Sequence, residues 1–165
     1  KRVQEFAILD TPEDRKFREL AEQALTLFPG ASIAAVSLID RDRQWFKTIV
    51  GLDTRETPRS QSFCAYTIEN PNSMVVEDAT KDIRFQKNPL VISGPRIRFY
   101  AGIKLTNGVG ALCVIGREPR QATERELAKL TKLASLVDIQ LMAHGTLSAV
   151  PCSGPLKPRT RSPTC

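Results

Sequence analysis

The apolar positions of the chain change their spacing several times, and each change marks a predicted element. Between residues 17 and 28 they recur every three or four residues, which predicts an amphipathic helix of about four turns. Thr11 as N-cap, Pro12 at the first helical position and the two acids that follow predict where this helix begins. Pro29-Gly30 predicts where it ends.

Five later segments have the patterns of β-strands. A nearly continuous apolar run is typical of a strand buried on both faces, and strict alternation is typical of a strand with two different faces. In the alternating segment Phe99 and Ala101 lie on one face and Tyr100 lies on the other. Asn107-Gly108 predicts a tight turn before the last strand. The predicted strands are residues 32–39, 44–50, 74–78, 98–105 and 109–115. Their meander-like order predicts an α+β domain with a central antiparallel sheet.

The segments between these strands predict short helices and a long loop. Ser60 is a plausible N-cap for a helix over the stretch QSFCAYTIEN, which would end before Pro71. Thr80 would cap a further turn that runs to Phe85. The irregular connection 86–97 is long for a compact domain, and such loops often form the rim of a binding pocket.

The last helix opens with a capping box, in which Thr123 and Glu126 satisfy each other's backbone amides. After it, five apolar residues alternate in spacings of three and four, as in a coiled coil, and predict a dimer helix. They are Leu127, Leu130, Ala134, Val137 and Leu141. Residues 1–144 are therefore predicted to form one domain. Residues 145–165, with four prolines and three basic residues, are predicted to be a disordered tail.

Composition narrows the classes of function. With 165 residues and 41% hydrophobic content the chain suits one domain, and it has no apolar run of membrane-spanning length and no signal peptide. We expect a cytoplasmic protein without membrane insertion. The net charge of +6 is partly in the tail, and the body mixes both signs, so we expect no nucleic-acid partner. Four cysteines without paired spacing and a single His144 predict no metal site.

An ordered series of fragments over about residues 2–142 strongly resembles the GAF domain. The fragments are Ile8-Leu9-Asp10-Thr11-Pro12, Val36-Ser37-Leu38-Ile39-Asp40, Gln44-Trp45-Phe46-Lys47, Val50-Gly51-Leu52, Arg59 with Ser62-Phe63-Cys64-Ala65, Val76-Glu77-Asp78-Ala79-Thr80, Arg84-Phe85, Arg98-Phe99-Tyr100-Ala101-Gly102, Leu112-Cys113-Val114-Ile115 and Pro119-Arg120. The resemblance is greatest to the bacterial subgroup at the N-terminus of sensor histidine kinases and diguanylate cyclases.

The resemblance implies a sheet of five or six strands, with the first and last helices on one face and a small-molecule pocket on the other. It implies a non-catalytic sensory domain of bacterial signal transduction, often in two-component systems. Such a domain would form a parallel homodimer through its first and last helices and relay to a kinase or cyclase domain of the same protein. No such domain is in this sequence, so we expect a fragment of a longer protein. The small-molecule effector and any cofactor are left open, and an inert dimerisation module is an alternative.

Arginines near aromatic residues are the candidates for a ligand pocket, because a guanidinium can clamp an anion and stack on a planar ring. The candidates are Trp45, Arg59, Phe63, Cys64, Tyr66, Arg84, Arg98, Tyr100 and Cys113. The alternative, which we favour, is structural: Trp45 would belong to the sheet core, and Arg84 and Arg98 would brace the long loop through Asp78 or Asp82.

Cys64 has several possible roles: a nucleophile, a redox partner of Cys113, a pocket wall or a small apolar filler. One branch of the GAF family reduces free methionine sulfoxide through pocket cysteines, and Cys64 roughly matches one of them. That chemistry also needs a thiolate after the third strand, where this chain has Asp78-Ala79-Thr80. No histidine accompanies Cys64 or Cys113 as bilin attachment requires, and His144 suits the end of a helix. We therefore expect a packing role for Cys64 and no enzyme.

Overall fold

The computed structural model describes residues 7–148. The described strands are β1 (Ala31–Ile39), β2 (Arg43–Val50), β3 (Glu56–Pro58), β4 (Ser73–Val76), β5 (Phe99–Lys104) and β6 (Gly110–Gly116). The described helices are α1 (Arg15–Leu27), α2 (Phe63–Thr67), α3 (Pro89–Ile92) and α4 (Glu124–Ser148). The six strands form one sheet in the order β3-β2-β1-β6-β5-β4, and every neighbouring pair is antiparallel. The predicted α+β architecture is confirmed.

One face of the sheet is covered by the two long helices. α1 and α4 contact each other and pack on the central strands, because their apolar stripes and the helix-facing side chains of the sheet bury one another. In β5 this face carries Phe99, Ala101 and Ile103, as the alternation predicts. Tyr100 points to the opposite face, where it joins a second apolar cluster under α2 and α3.

The two first helices begin later than predicted. The N-cap of α1 is Asp14, whose carboxylate accepts from Lys16 N at 2.8 Å, and Thr11 instead accepts a hydrogen bond from the ammonium of Lys47. The N-cap of α2 is Ser62, which accepts from Ala65 N at 3.0 Å, because a 3₁₀ turn over Arg59–Gln61 comes first.

Three local elements also differ from the sequence pattern. The three-residue edge strand β3 lies in the segment predicted as a loop, and its pairing with β2 defines it. The single turn α3 lies within the predicted irregular connection, capped by Asn88 with Pro89 at its start. The 3₁₀ turn Ala79–Lys81 is capped by Asp78 and not by Thr80 as predicted. The Asp78 carboxylate accepts a hydrogen bond from Thr80 N. Such short elements have too few residues to show a period.

The last helix confirms its predicted start. Thr123 N donates to Glu126 Oε1 at 3.0 Å, and Glu126 N donates to Thr123 Oγ1 at 3.1 Å. Arg120 holds the same carboxylate through two bonds of 2.7 and 2.8 Å. The helix continues to Ser148, four residues beyond the predicted boundary at 144. The predicted tail from residue 149 onward, with Cys152 and Cys165, lies outside the described residues.

The predicted dimer residues of α4 are part of the chain's own core. Four of them are buried under α1 and the sheet and Leu127 packs beside them, so they are not available to a second protomer. The four are Leu130, Ala134, Val137 and Leu141. An intramolecular helix pair and a coiled coil need the same apolar spacing, so dimer formation through α4 stays a prediction. The apolar side chains that α4 does expose are Leu136, Ile139 and Met142.

Among the helices of the described part, none combines the length and the apolar character that crossing a bilayer requires.

Candidate ligand pocket

A cavity of about 40 Å³ lies between the sheet and the layer formed by α2 and α3. Its floor is made by side chains of β1, β2, β5 and β6, and its roof comes from α2, α3 and the segment after α3. Fifteen residues line it: Ile33, Ala35, Gln44, Phe46, Ile49, Leu52, Thr57, Phe63, Cys64, Leu90, Pro95, Ile97, Tyr100, Cys113 and Ile115. The half-buried Leu52, Thr57, Leu90 and Pro95 form the rim. The lining is almost entirely apolar.

A β-bulge in β2 decides which side chains of that strand reach the cavity. Val36 pairs with Thr48 and Ser37 pairs with Phe46, so Lys47 is the extra residue. Phe46 and Ile49 both line the cavity, while Lys47 and Thr48 turn to the start of α1.

The buried Lys47 forms hydrogen bonds with the segment before α1 and does not reach the cavity. Its ammonium donates to Thr11 Oγ1 at 2.8 Å and to the Pro12 carbonyl at 2.6 Å. Burial lowers the pKa of Lys47, and the charges of Asp14 and Glu13 oppose that effect. Lys47 therefore anchors the segment before α1 to the sheet.

Tyr100 lies flat over its own strand because residue 102 is a glycine. A Cβ at Gly102 would overlap the phenol ring of Tyr100. Gly102 also stands directly opposite Cys113 on β6, so the ring extends toward that cysteine. The Tyr100 hydroxyl then reaches α2, where it contacts Cys64 Sγ at 3.1 Å and Thr67 Oγ1 at 2.7 Å.

The pKa values of the two thiols at the cavity wall are shifted in opposite directions. Burial raises the pKa of Cys64, but hydrogen bonds with Cys113, Tyr100 and Ser37 outweigh it, and the pKa lies below its ordinary value. The hydrogen bond with Cys64, followed by burial, holds the pKa of Cys113 well above its ordinary value. The Tyr100 hydroxyl, 3.1 Å from Cys64 Sγ, is placed to donate a hydrogen bond to a Cys64 thiolate.

Gln44 connects four elements around the cavity. Its Oε1 accepts hydrogen bonds of 2.7 Å from Ser37 in β1 and from Ser62 at the start of α2. Its Nε2 donates to Thr57 Oγ1 in β3 at 2.9 Å. All the polar atoms of this side chain are satisfied inside the protein, so Gln44 fixes the position of the pocket wall.

Of the nine predicted pocket residues, the structure places Phe63, Cys64, Tyr100 and Cys113 at the cavity. The other five lie elsewhere. Trp45 is in the core under α1 and α4, with the guanidinium of Arg55 over its ring at 5.1 Å. Arg59 and the exposed Tyr66 line a separate surface cleft.

The remaining two arginines hold the loops around the pocket. Arg84 pairs with Asp82 through bonds of 3.0 and 2.8 Å and lies over the Phe85 ring. Arg98 donates to the carbonyls of Val91 and Ile97 at 2.9 and 3.0 Å. Their charges are directed to these partners and away from the cavity.

Sequence reasoning missed most of the apolar lining. In β1 and β6, period-two alternation identifies it, since Ile33 and Ala35 share a face with Cys113 and Ile115. In β2 the bulge breaks that alternation, and no local signal marks it. Within residues 7–148, no group of three or more Cys, His, Asp or Glu is placed to hold a metal ion.

Comparison with known proteins defines the fold of this chain. No family model matches the chain. The GAF domain of a phosphoenolpyruvate-protein phosphotransferase from Acinetobacter superposes with a TM-score of 0.61 at 15% identity, over 90% of this chain and 94% of that one. The chain has the fold of a GAF domain, and the predicted resemblance is confirmed at that level.

A more specific relationship comes from sequence. The chain is 45% identical over 140 residues to a cyclic di-GMP phosphodiesterase of Pseudomonas aeruginosa. The match covers 82% of this chain but only 24% of that protein. The assignment to the subgroup of histidine kinases and diguanylate cyclases stays a prediction.

The expectation that the chain is not an enzyme is wrong in the light of these relatives. The curated relative is named a phosphodiesterase. A free methionine-R-sulfoxide reductase from Neisseria meningitidis has the same fold, with a TM-score of 0.60 at 18% identity over 88% of each chain. Relatives of this chain in sequence and in fold therefore include enzymes.

Proposed function

We propose that this chain is the sensory domain of a larger signalling protein that acts on cyclic di-GMP. The observation that carries the proposal is the 45% identity to a cyclic di-GMP phosphodiesterase, of which the chain spans about a quarter. The proposed role of the domain is to bind a small effector in the cavity and to change the activity of the rest of the protein.

The size of the cavity limits the effector. An engineered protein cavity of about 150 Å³ binds benzene, so a cavity of about 40 Å³ accommodates only two or three non-hydrogen atoms. A cyclic nucleotide or a tetrapyrrole is many times larger. The proposal is therefore an effector of a few non-hydrogen atoms, or a larger one that displaces the rim at Leu90 and Pro95.

The proposed output passes through the two long helices. α1 and α4 pack against the opposite side of the same sheet that forms the cavity floor, so a shift of β1 or β6 also moves their packing surface. Interiors are close-packed and transmit such shifts. The exposed Leu136, Ile139 and Met142 of α4 are the proposed contacts with a second protomer in a homodimer.

A second candidate is a reductase of free methionine sulfoxide, and the observation that favours it is the pair of cysteines at the cavity. This candidate requires NADPH-coupled turnover of free methionine sulfoxide by the chain, and that turnover must disappear in Cys64→Ser. Absence of turnover in the parent chain removes it.

The sensory proposal is tested in the full-length parent protein, with cyclic di-GMP hydrolysis as the readout. Ala35→Val adds two methyl groups at the cavity floor, and Ala65→Val makes the same change on α2 away from the cavity. We expect Ala35→Val to change the hydrolysis rate several-fold and Ala65→Val to leave it within a factor of two. Native mass spectrometry of the protein from its own host would show an effector that Ala35→Val removes. Equal rates and no bound molecule in any variant would contradict the proposal.

A further inference from the structure

Two buried thiols lie at the cavity wall, and effector binding as described above does not use them. Cys64 on α2 and Cys113 on β6 are free and 2% and 1% exposed. Tyr100 lies between their elements: its hydroxyl is 3.1 Å from Cys64 Sγ, and its ring covers Gly102, the residue that pairs with Cys113. Both cysteines line the same cavity. A single buried cysteine is most often a packing residue, but two that line the same cavity have a chemistry that packing does not need.

The surrounding hydroxyl groups can satisfy Cys64 in either protonation state. When Cys64 is a thiol, its proton is donated to Tyr100, Tyr100 donates to Thr67 at 2.7 Å, and Thr67 donates to the Phe63 carbonyl at 3.3 Å. When Cys64 is a thiolate, Tyr100 donates to its sulfur at 3.1 Å, and Thr67 donates to Tyr100. Reversing two hydroxyl rotors is enough to stabilise the charge.

The size of the cavity limits which molecules can reach the two thiols. Its volume of about 40 Å³ admits a molecule of two or three non-hydrogen atoms. Hydrogen peroxide has two such atoms, and it reacts with thiolates at the sulfur. Bulky hydroperoxides and disulfide reagents exceed this volume.

We propose that hydrogen peroxide enters this cavity and converts Cys64 and Cys113 to a disulfide, which makes the pocket a peroxide-sensing site. The proposal deepens the proposed sensory function, because it names the effector class and rests on that function for its consequence. The oxidation itself depends only on the chain described here.

The reaction has two balanced steps. The Cys64 thiolate attacks one peroxide oxygen: an S–O bond forms, the O–O bond breaks, and the leaving oxygen takes up protons as water. Cys64 is thereby oxidised by two electrons to a sulfenic acid. The Cys113 sulfur then attacks Cys64 sulfur, the S–O bond breaks, and hydroxide leaves with the Cys113 proton as a second water. One peroxide and two thiols give one disulfide and two waters, and a dithiol reductant reverses the change.

The bond would join two layers of the protein. A disulfide is about 2.05 Å long, so its formation requires a shift that brings the two sulfurs to bonding distance. That shift draws α2 toward β6 and breaks the Cys64–Tyr100 contact. Because β6 is a central strand beneath both long helices, the change reaches the packing surface of α1 and α4.

The test uses the full chain with Cys152→Ser and Cys165→Ser, so that Cys64 and Cys113 are the remaining thiols. Treatment with hydrogen peroxide is followed by intact-mass and peptide-mapping mass spectrometry. We expect the loss of two hydrogens and a linked Cys64–Cys113 peptide, reversed by dithiothreitol. Cys113→Ser should stop at a Cys64 sulfenic acid that dimedone traps, and Cys64→Ser should give no adduct. Tyr100→Phe should slow the reaction at least tenfold, and cumene hydroperoxide should react at least tenfold more slowly than hydrogen peroxide.

Three results would overturn the proposal. The first is the absence of a linked peptide at peroxide concentrations that oxidise a free cysteine peptide. The second is dimedone labelling of Cys113 in Cys64→Ser as fast as that of Cys64 in Cys113→Ser. The third is an equal rate of oxidation by hydrogen peroxide and by cumene hydroperoxide. These measurements need no second domain. A linked peptide together with unchanged cyclic di-GMP hydrolysis in the oxidised parent would therefore contradict the sensory function and leave the site standing.

Discussion

The hydroxyl groups of Tyr100 and Thr67 share a buried hydrogen bond of 2.7 Å that joins β5 to α2. Tyr100 is fully buried, and its ring also lies 5.3 Å from that of Phe63. Burial raises the pKa of Tyr100 well above its ordinary value, so this hydroxyl remains protonated as a donor. The phenol of Tyr100 thus connects α2, in the roof of the cavity, to β5, in its floor.

Removing that hydroxyl tests the strength of the connection. Tyr100→Phe leaves Thr67 and Cys64 short of a buried partner, and we expect the free energy of unfolding in urea to fall by about 1–2 kcal/mol. Tyr66→Phe is the matched control, because Tyr66 is 40% exposed, and its effect should stay within about 0.5 kcal/mol. Equal effects of the two substitutions would contradict the assignment.

Gly102 is predicted to be required for the position of that phenol. A Cβ at residue 102 would overlap the Tyr100 ring, so Gly102→Ala must displace it and break both of its contacts with α2. We expect a loss of roughly 1–3 kcal/mol, as for other overpacked sites. Gly94→Ala is the control, since a Cβ there meets nothing within 4 Å. Thermal unfolding followed by circular dichroism separates the two variants.

The Glu126 carboxylate predicts a dependence of stability on pH. Burial raises the pKa of Glu126, but its hydrogen bonds with Thr123 and Arg120 lower the pKa by a larger amount. The pKa in the folded protein therefore lies below the ordinary 4.5. A lowered carboxyl pKa stabilises the folded state above the unfolded pKa, and that contribution is lost as the pH falls through the folded pKa. Glu126→Gln should therefore cost about 1 kcal/mol at pH 7, and the difference should shrink below pH 4.5. A constant difference at every pH would contradict this account.

The two faces of α4 should respond differently to substitution. Leu130→Ala empties part of the core and should cost about 2–5 kcal/mol in urea unfolding. Ile139→Glu changes a side chain that is 58% exposed, and it should change the free energy of unfolding by less than about 0.5 kcal/mol. By sedimentation we expect Ile139→Glu to shift a dimer toward monomer. A parent chain that sediments only as a monomer would end the proposal of a homodimer.

Strands β5 and β2 and the start of α4 show how far local sequence predicts this protein. The alternation of β5 correctly predicts that Phe99 and Tyr100 lie on opposite faces, and the capping box correctly predicts the start of α4, because both signals span only a few residues. The cavity lining from β2 was not predictable in this way. Its extra residue, Lys47, is accommodated only because Thr11 and Pro12 from a distant segment accept its hydrogen bonds.

The seam of α4 shows the same limit. Its spacing determined which residues would be buried, and Leu130, Val137 and Leu141 are buried. It did not determine the partner, because α1 of the same chain and α4 of a second chain satisfy one apolar stripe equally well.

The order of apolar and polar residues by itself determined an antiparallel α+β domain with two long helices, since helical and strand periods and their caps are local properties. Only the tertiary structure decided that Cys64 and Cys113 line the same cavity. These residues are far apart in the sequence, and Gly102, Tyr100 and the packing of α2 over β6 bring them together. Long-range contacts of this kind depend on how complete elements pack, so they have no signature in either segment alone.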